Sequence, residues 1–289
     1  MEKNPQNAMS LSIDFTKASG AGNDFVLINN IGGDLRVDFA RLARAACDRH
    51  FGVGGDGLLV LQKSTRADFT MLYYNADGSS GGMCGNGGRC IARFALMEGV
   101  AGRIQKFEAL DHIYDAEIGE STVRLHMKDP SGLRRGLSFT AGGKLMQGTF
   151  IDTGAPHTVI FVEGLESLDV AGLGSAIRHD PRFNPGGTNV NFARVQTGST
   201  IEIRTYERGV ESETLACGTG AVASALVGSD MHSLPSPVTV AVRSGEKVFV
   251  HFRGTASGWT DVHLEGSAHI LFQGKIFYKE DESVIRLIR

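Results

Sequence analysis

Long apolar runs are missing from this chain. No stretch of about 18 consecutive apolar residues occurs, which excludes a membrane-spanning helix and any membrane partner that needs one. Blocks of one charge are missing too. The 29 lysines and arginines and 32 aspartates and glutamates are interspersed, net charge is −3, and no basic patch calls for a nucleic-acid partner. Cysteine is scarce, with four residues at 47, 84, 90 and 217, too few for a disulfide scaffold. No two of them form Cys-x-x-Cys, so a zinc site is not expected. No Walker A sequence appears. Gly52-Val53-Gly54-Gly55-Asp56-Gly57 spells G-x-G-x-x-G, but after a helical pattern and before a strand, the wrong order for a dinucleotide fingerprint. The polar start, Met1 to Asn7, lacks the apolar centre of a signal peptide, and the segment to about Ser10 reads as a loose extension. The expected location is therefore cytoplasmic, where thiols stay reduced.

What the chain has in excess is glycine, 38 of 289 residues against an average of about 7%. With only 7 prolines, that balance fits many tight turns between short strands. Phe15–Lys17 and Phe25–Ile28 read as strands around a glycine loop over 19–24, and Phe39 to Asp48 has helical spacing. Strands follow at Leu58–Leu61 and Phe69–Tyr74, then short hairpin strands from Lys106 to Met127. Asp129 to Gly143 is turn-rich and reads as a domain junction. The pattern then restarts: strands flank the loop Thr153-Gly154-Ala155-Pro156-His157, a short helix covers 173–177, and strands run over 189–195 and 200–206. More strands fill 238–272. The length fits one large core or two ordinary ones, and the restart divides the chain between residues 129 and 130.

One stretch recurs in both halves. Asn75-Ala76-Asp77-Gly78-Ser79 leads to Cys84-Gly85-Asn86-Gly87-Gly88-Arg89-Cys90, and Tyr206-Glu207-Arg208-Gly209 leads to Ala216-Cys217-Gly218-Thr219-Gly220-Ala221. Each is a polar turn, then Cys-Gly-x-Gly, then an apolar run suited to a buried helix. Bare backbone N–H groups and the positive end of the helix dipole make each start an anion site with a thiol at its mouth. A core cysteine needs no flanking Gly-x-Gly and does not recur at equivalent places. Cys47 and Cys90 lack that context and are expected in the core. A pseudo-twofold pair of domains would set the two cysteine helices facing each other across one cleft. Opposed thiols suit proton removal from one face of a carbon and delivery to the other. That is racemisation or epimerisation next to a carboxylate held by the helix ends.

The chain resembles the diaminopimelate epimerase family. The resemblance rests on Gly22-Asn23-Asp24-Phe25-Val26, on Asn75 to Ser79, on both cysteine motifs, on Gly154-x-Pro156-His157, and on Thr188-Asn189-Val190-Asn191-Phe192, in the family's order. It implies an α+β fold of two pseudo-symmetric domains, 1–129 with about 268–289 returning and 130–267, each a mostly antiparallel curled sheet or barrel around a central helix. It implies cofactor-independent, metal-independent interconversion of LL- and meso-diaminopimelate, a small-molecule substrate, for lysine and peptidoglycan synthesis. Cys84 and Cys217 would be the acid–base pair, with His157 and Glu207 beside them. Gly85, Asn86, Gly218 and Thr219 would bind the reacting carboxylate, and Asn23, Asn75, Asn189 and Arg208 the distal amino-acid end. A homodimer is compatible with the sequence. Two positions depart from the family pattern: Ala155 where many members have Asn, and Gly57 where many have Gln. A proline-type racemase is the alternative, although Asn86 stands where its motif has His. A non-catalytic relative would have little reason to keep both cysteines.

Overall fold

A computed structural model describes residues 11–279 and 284–288. The segment before Leu11, read as a loose extension, lies outside the described residues. The chain divides into two units by internal contacts: Met1–Val123 with Ser267–Arg289, and Arg124–Gly266.

The first unit contains β1 (Leu11–Gly20), β2 (Asn23–Asn30), α1 (Phe39–Ala46), β3 (Gly57–Gln62), β4 (Phe69–Asn75), α2 (Gly85–Met97), β5 (Ile104–Ala109) and β6 (His112–Ile118). Strand β7 (Thr122–His126) carries the boundary into the second unit. The second unit continues with β8 (Ser131–Ala141), β9 (Lys144–Asp152), β10 (Pro156–Phe161), α3 (Val170–Arg178), β11 (Asn189–Val195), β12 (Thr200–Glu207), β13 (Ser212–Thr214), α4 (Gly218–His232), β14 (Val238–Ala241), β15 (Lys247–Thr255) and β16 (Gly258–Ser267). The chain then returns to the first unit with β17 (His269–Lys279) and β18 (Val284–Ile288).

The two units repeat one pairing order. In the first, β17–β1 and β1–β2 are antiparallel, β2–β3 parallel, β3–β4 antiparallel, β4–β5 parallel and β5–β6 antiparallel. In the second, β8–β9 and β9–β10 are antiparallel, β10–β11 parallel, β11–β12 antiparallel, β12–β14 parallel and β14–β15 antiparallel. This mostly antiparallel, sheet-rich α+β architecture agrees with the expected fold class.

Each sheet wraps one helix. Helix α2 packs on β1, β2, β3, β4, β6 and β17, and α4 on β9, β10, β11, β12, β14 and β15. Neither helix has a broad solvent face to fill with charge, so apart from Arg89 and Arg93 of α2 their middles are mostly apolar or small. Gly85 to Ala92 and Gly220 to Gly228 are continuously buried. The central strands are covered on both faces for the same reason. In β2 and β3, Val26, Ile28, Leu58 and Val60 join the cluster around α1, and Leu27 and Leu59 on the other face are equally buried. Burying each such side chain stabilises the unit by about 1.5–3 kcal/mol. A second cluster, with Phe139, Ile160, Val190, Phe192 and Tyr206, sits under α3.

Three local expectations change. The glycine loop over 19–24 contracts to two residues, Ala21 and Gly22, both at positive φ (55° and 99°). That is the hairpin turn whose twist suits antiparallel strands, so β1 and β2 run further than the loop composition implied. The turn-rich stretch 129–143 is largely the long strand β8 paired to β9. Its glycines at 132 and 136 take φ of 66° and 67° at register shifts on either side of Arg134, so they mark bulges within a strand, not a linker. His157, read as a loop residue, is the second residue of β10 and fully buried.

Candidate active site

Both cysteine motifs start helices in the same way. Cys84 (φ −105°, ψ 116°) and Cys217 (φ −123°, ψ 110°) are the extended N-cap residues of α2 and α4. The helical ladder opens with Gly88 N to Cys84 O at 2.7 Å and Ala221 N to Cys217 O at 2.9 Å. The amides of the intervening first-turn residues have no intrahelical acceptor and point out of the helix start beside each sulfur. Gly87 N donates to Cys84 Sγ at 3.4 Å, and Cys217 Sγ lies 3.6 Å from Thr219 Oγ1. Cys84 is half-buried and Cys217 buried. The two remaining thiols sit in the core as expected: Cys90 is fully buried on α2, and burial pushes the Cys47 thiol up to about 12.

In the first unit, Asn23, at the start of β2, joins Asn86 at the start of α2. Asn86 Nδ2 donates to Asn23 Oδ1, while Asn23 Nδ2 donates to Asp56 Oδ2 at 2.9 Å. Arg89, one turn into α2 and wholly buried, donates to Asn86 Oδ1 at 3.0 Å and Gly85 O at 3.2 Å, fixing that helix start from behind. Next to Asn23, Asp24 meets Lys17 at 2.7 Å and a two-pronged Arg49 at 2.7 and 3.1 Å. Burial alone would raise the Asp24 carboxyl. Hydrogen bonds and charge from Arg49 and Lys17 outweigh it and hold the pKa at about 2. Asn75, the last residue of β4, donates to Ser79 Oγ at 2.9 Å within the turn that leads to Cys84.

In the second unit, His157, Thr219 and Cys217 come together. His157 Nε2 lies 2.9 Å from Thr219 Oγ1. Burial, with the Arg208 charge adding, pushes the His157 ring down to about 3, so it is neutral. Thr153, in the turn between β9 and β10, donates to Thr219 O at 3.0 Å and ties that turn to the helix start. Asn189, opposite His157 in the β10–β11 register, accepts from Arg208 N at 2.8 Å and donates to Pro156 O at 3.1 Å. Glu207, the last residue of β12, accepts from Thr214 Oγ1 at 2.9 Å.

Asn191 was given no role by the sequence reading, yet it contacts His157 directly. The available signal was the period-two spacing of Asn189 and Asn191, which puts both on one face of β11. Arg89 and Thr153 were missed as well: Arg89 holds the Asn86 side chain and the Gly85 carbonyl, and Thr153 the Thr219 carbonyl. Of the two departures, Gly57 has a local reason: a Cβ there would lie 2.5 Å from Cε2 of Tyr73. Ala155 sits in the β9–β10 turn and offers its carbonyl to Thr153 N at 3.1 Å. Among the described residues, His126, Asp261 and His263 bring candidate metal-ligand atoms within 4.8 Å of one another, and none of them is a site residue.

The class follows from the fold. The α+β architecture matches that of a Bacillus anthracis phenazine biosynthesis protein of the PhzF family, at a TM-score of 0.74 over 93% of this chain and 100% of that one. At 12% identity the likeness is one of fold. Within that class, the chain belongs to the diaminopimelate epimerase family, whose sequence model matches residues 15–118 and 149–256. The diaminopimelate epimerase of Chlorobaculum tepidum is 45% identical over 262 residues, covering 89% of this chain and 99% of that protein. That of Aquifex aeolicus is 41% identical over 277 residues, covering 91% and 98%.

Proposed function

We propose that the chain is an isomerase that interconverts LL- and meso-diaminopimelate by two-base proton transfer, with Cys84 and Cys217 as the acid–base pair. The observation that carries this reading is the duplicated N-cap: in a chain of this family, each unit presents one thiol at the start of a buried helix. One cysteine, as thiolate, takes the α-proton from one face of the carbon. The other, as thiol, delivers a proton to the opposite face, and the reverse reaction exchanges the roles. Negative charge builds on the carboxylate as the proton leaves. The amides around Gly85 and Asn86, and around Gly218 and Thr219, supply donors and helix-dipole field for it. His157 and Glu207 orient the Cys217 side of the site, and Asn23, Asn75, Asn189 and Arg208 hold the distal amino-acid end. Acid, base and charge stabilisation all come from the chain, so the reaction needs no cofactor.

In this reading the two units, Met1–Val123 with Ser267–Arg289 and Arg124–Gly266, are the two epimerase halves, each giving one cysteine; the halves expected from the sequence, 1–129 with about 268–289 and 130–267, set both boundaries slightly later. One chain supplies both thiols, so a homodimer is compatible with the chemistry without being required by it. The cytoplasm suits an enzyme that depends on reduced thiols. No helix among the described residues is long and apolar enough to cross a membrane.

The test is direct. Purified protein is incubated separately with LL-diaminopimelate and with L-proline, and the stereoisomers are resolved. The reading expects meso-diaminopimelate and no D-proline. D-Proline formation with diaminopimelate untouched would assign the proline-type racemase activity instead.

A further inference from the structure

Four side chains on β10, β11, β12 and α4 form a hydrogen-bonded line that ends at the Cys217 sulfur. Thr205 Oγ1 donates to Asn191 Oδ1 at 2.9 Å. Asn191 Nδ2 lies 3.0 Å from His157 Nδ1, and His157 Nε2 lies 2.9 Å from Thr219 Oγ1. Thr219 Oγ1 lies 3.6 Å from Cys217 Sγ. Thr205, Asn191 and His157 are all buried, with exposures of 2%, 0% and 0%.

We propose that Asn191, held by the Thr205 hydroxyl, fixes the tautomer of His157 and thereby aims the Thr219 hydroxyl at the Cys217 sulfur. The logic is one of donors and acceptors. A threonine hydroxyl that donates to the amide oxygen leaves the amide NH2 facing the imidazole. An NH2 group can only donate, so Nδ1 of His157 is the unprotonated nitrogen. A neutral ring then carries its proton on Nε2 and donates it to Thr219 Oγ1. With that oxygen already accepting, its own hydrogen is directed to the sulfur. Every donor in the line points the same way, and the sulfur at its end receives a hydrogen bond, which favours its thiolate form. No proton travels along the line. Asn191 and Thr205 are positioning residues that act through His157 and Thr219.

The backbone makes room for this arrangement at one place. A Cβ on Gly220 would lie 2.3 Å from Asn191 Oδ1, so the second glycine of Cys217-Gly218-Thr219-Gly220 is what lets Asn191 reach the helix start. In the first unit the corresponding Gly87 meets only Leu59 and Cys84 side-chain atoms at 3.4–3.6 Å, an ordinary contact. At the Cys84 sulfur the donor is a backbone group, Gly87 N at 3.4 Å, so the two thiols are set up differently.

This inference rests on the reading of Cys217 as an acid–base residue, and its first readout does not depend on activity. Two-bond 15N–1H spectra of the ligand-free protein labelled in histidine, with the His157 signals assigned by their loss in His157→Gln, report the tautomer directly. We expect Nε2–H in the wild type. An Nδ1–H tautomer there overturns the proposal whatever the enzyme turns over. Thr205→Val and Asn191→Leu should each shift His157 towards a mixture of tautomers. They should also lower kcat about 10- to 100-fold with KM changed much less, the range found when a partner orienting a metal-bound histidine is removed. Thr205→Ser, which keeps the hydroxyl, should restore the wild-type tautomer and rate. If Asn191→Leu fails to fold, the Val and Ser variants at 205 decide alone. An unchanged tautomer and unchanged kcat in folded Thr205→Val would reduce Asn191 and Thr205 to packing. Loss of diaminopimelate turnover in the wild type with the Nε2–H tautomer intact would defeat the functional reading and leave the line standing.

Discussion

The ring of Tyr73 occupies the space that a side chain at Gly57 would need. A Cβ at 57 would lie 2.5 Å from Tyr73 Cε2 and 2.6 Å from the Tyr74 carbonyl oxygen, and the same ring lies 2.1 Å from a Cβ at Gly81. The β3–β4 pair is thus packed around a tyrosine that tolerates glycine alone on both sides. Gly57→Ala or Gly57→Gln should destabilise the protein by roughly 1–3 kcal/mol, the usual cost of overpacking. Urea denaturation measures this; an unchanged midpoint would mean that Tyr73 is free to swing aside.

Cys84→Ser and Cys217→Ser should each abolish epimerisation in both directions, because a serine hydroxyl is far too weak an acid to stand as its anion near neutrality, and each direction needs both groups. Cys90→Ser buries a hydroxyl in a packed site and should cost about 1–3 kcal/mol of stability while turnover per folded molecule persists. Rates from the LL and the meso substrate, with melting curves alongside, separate these cases. Substantial activity in either of the first two variants would break the pairing.

Substrates lacking the distal ammonium and carboxylate should turn over poorly. A site built around Asn75, Asn189 and Arg208 leaves its polar groups unpaired when those charges are missing, and such sites discriminate strongly. L-Norleucine and L-alanine, which lack both groups, and L-lysine, which lacks only the distal carboxylate, are the test set, each assayed for its D-isomer. Alanine racemised at a rate near that of diaminopimelate would remove these three residues from substrate binding.

His157 should give the fold a distinct acid sensitivity. Its folded-state pKa is depressed to about 3, against 6.5 for the ordinary ring. Between those values the unfolded chain takes up a proton that the folded chain refuses. The associated stability is fully present above pH 6.5 and is lost as pH falls towards 3, at up to about 1.4 kcal/mol per pH unit. His157→Gln should therefore flatten the stability profile in that window, read as the difference between urea midpoints at pH 7, 5.5 and 4.5. Parallel profiles for the two proteins would place the ring in a far wetter setting.

Much of this was legible in the sequence, for reasons that differ by residue. Cys84 and Cys217 were readable because a helix start with Gly-x-Gly behind a thiol is a local pattern, and it occurs twice. Strands such as β3 and β11 were readable from unbroken apolar or alternating runs between turn residues. Strand β8 was not, because bulge glycines at 132 and 136 look like linker composition until the partner strand β9 is seen. His157 was misplaced in a loop because Pro156 before it signals a turn, whereas here Pro156 opens β10. The role of Asn191 depends on register: β11 lies between β10 and β12, with Asn191 opposite Val159 and Thr205, and no local pattern encodes that adjacency.

The central claim, that one cysteine removes a proton while the other delivers a different one, is tested most directly by tracing hydrogen early in the reaction. LL-diaminopimelate carrying ordinary hydrogen is converted in heavy water and sampled at low conversion, with deuterium read by mass spectrometry in the recovered substrate and in the meso product. Two separate bases predict deuterium at the inverted carbon of nearly every product molecule and little in the recovered LL-isomer, since reversal returns the same hydrogen from the same thiol. Product that retains its original hydrogen, or LL substrate that fills with deuterium as fast as product forms, would contradict it.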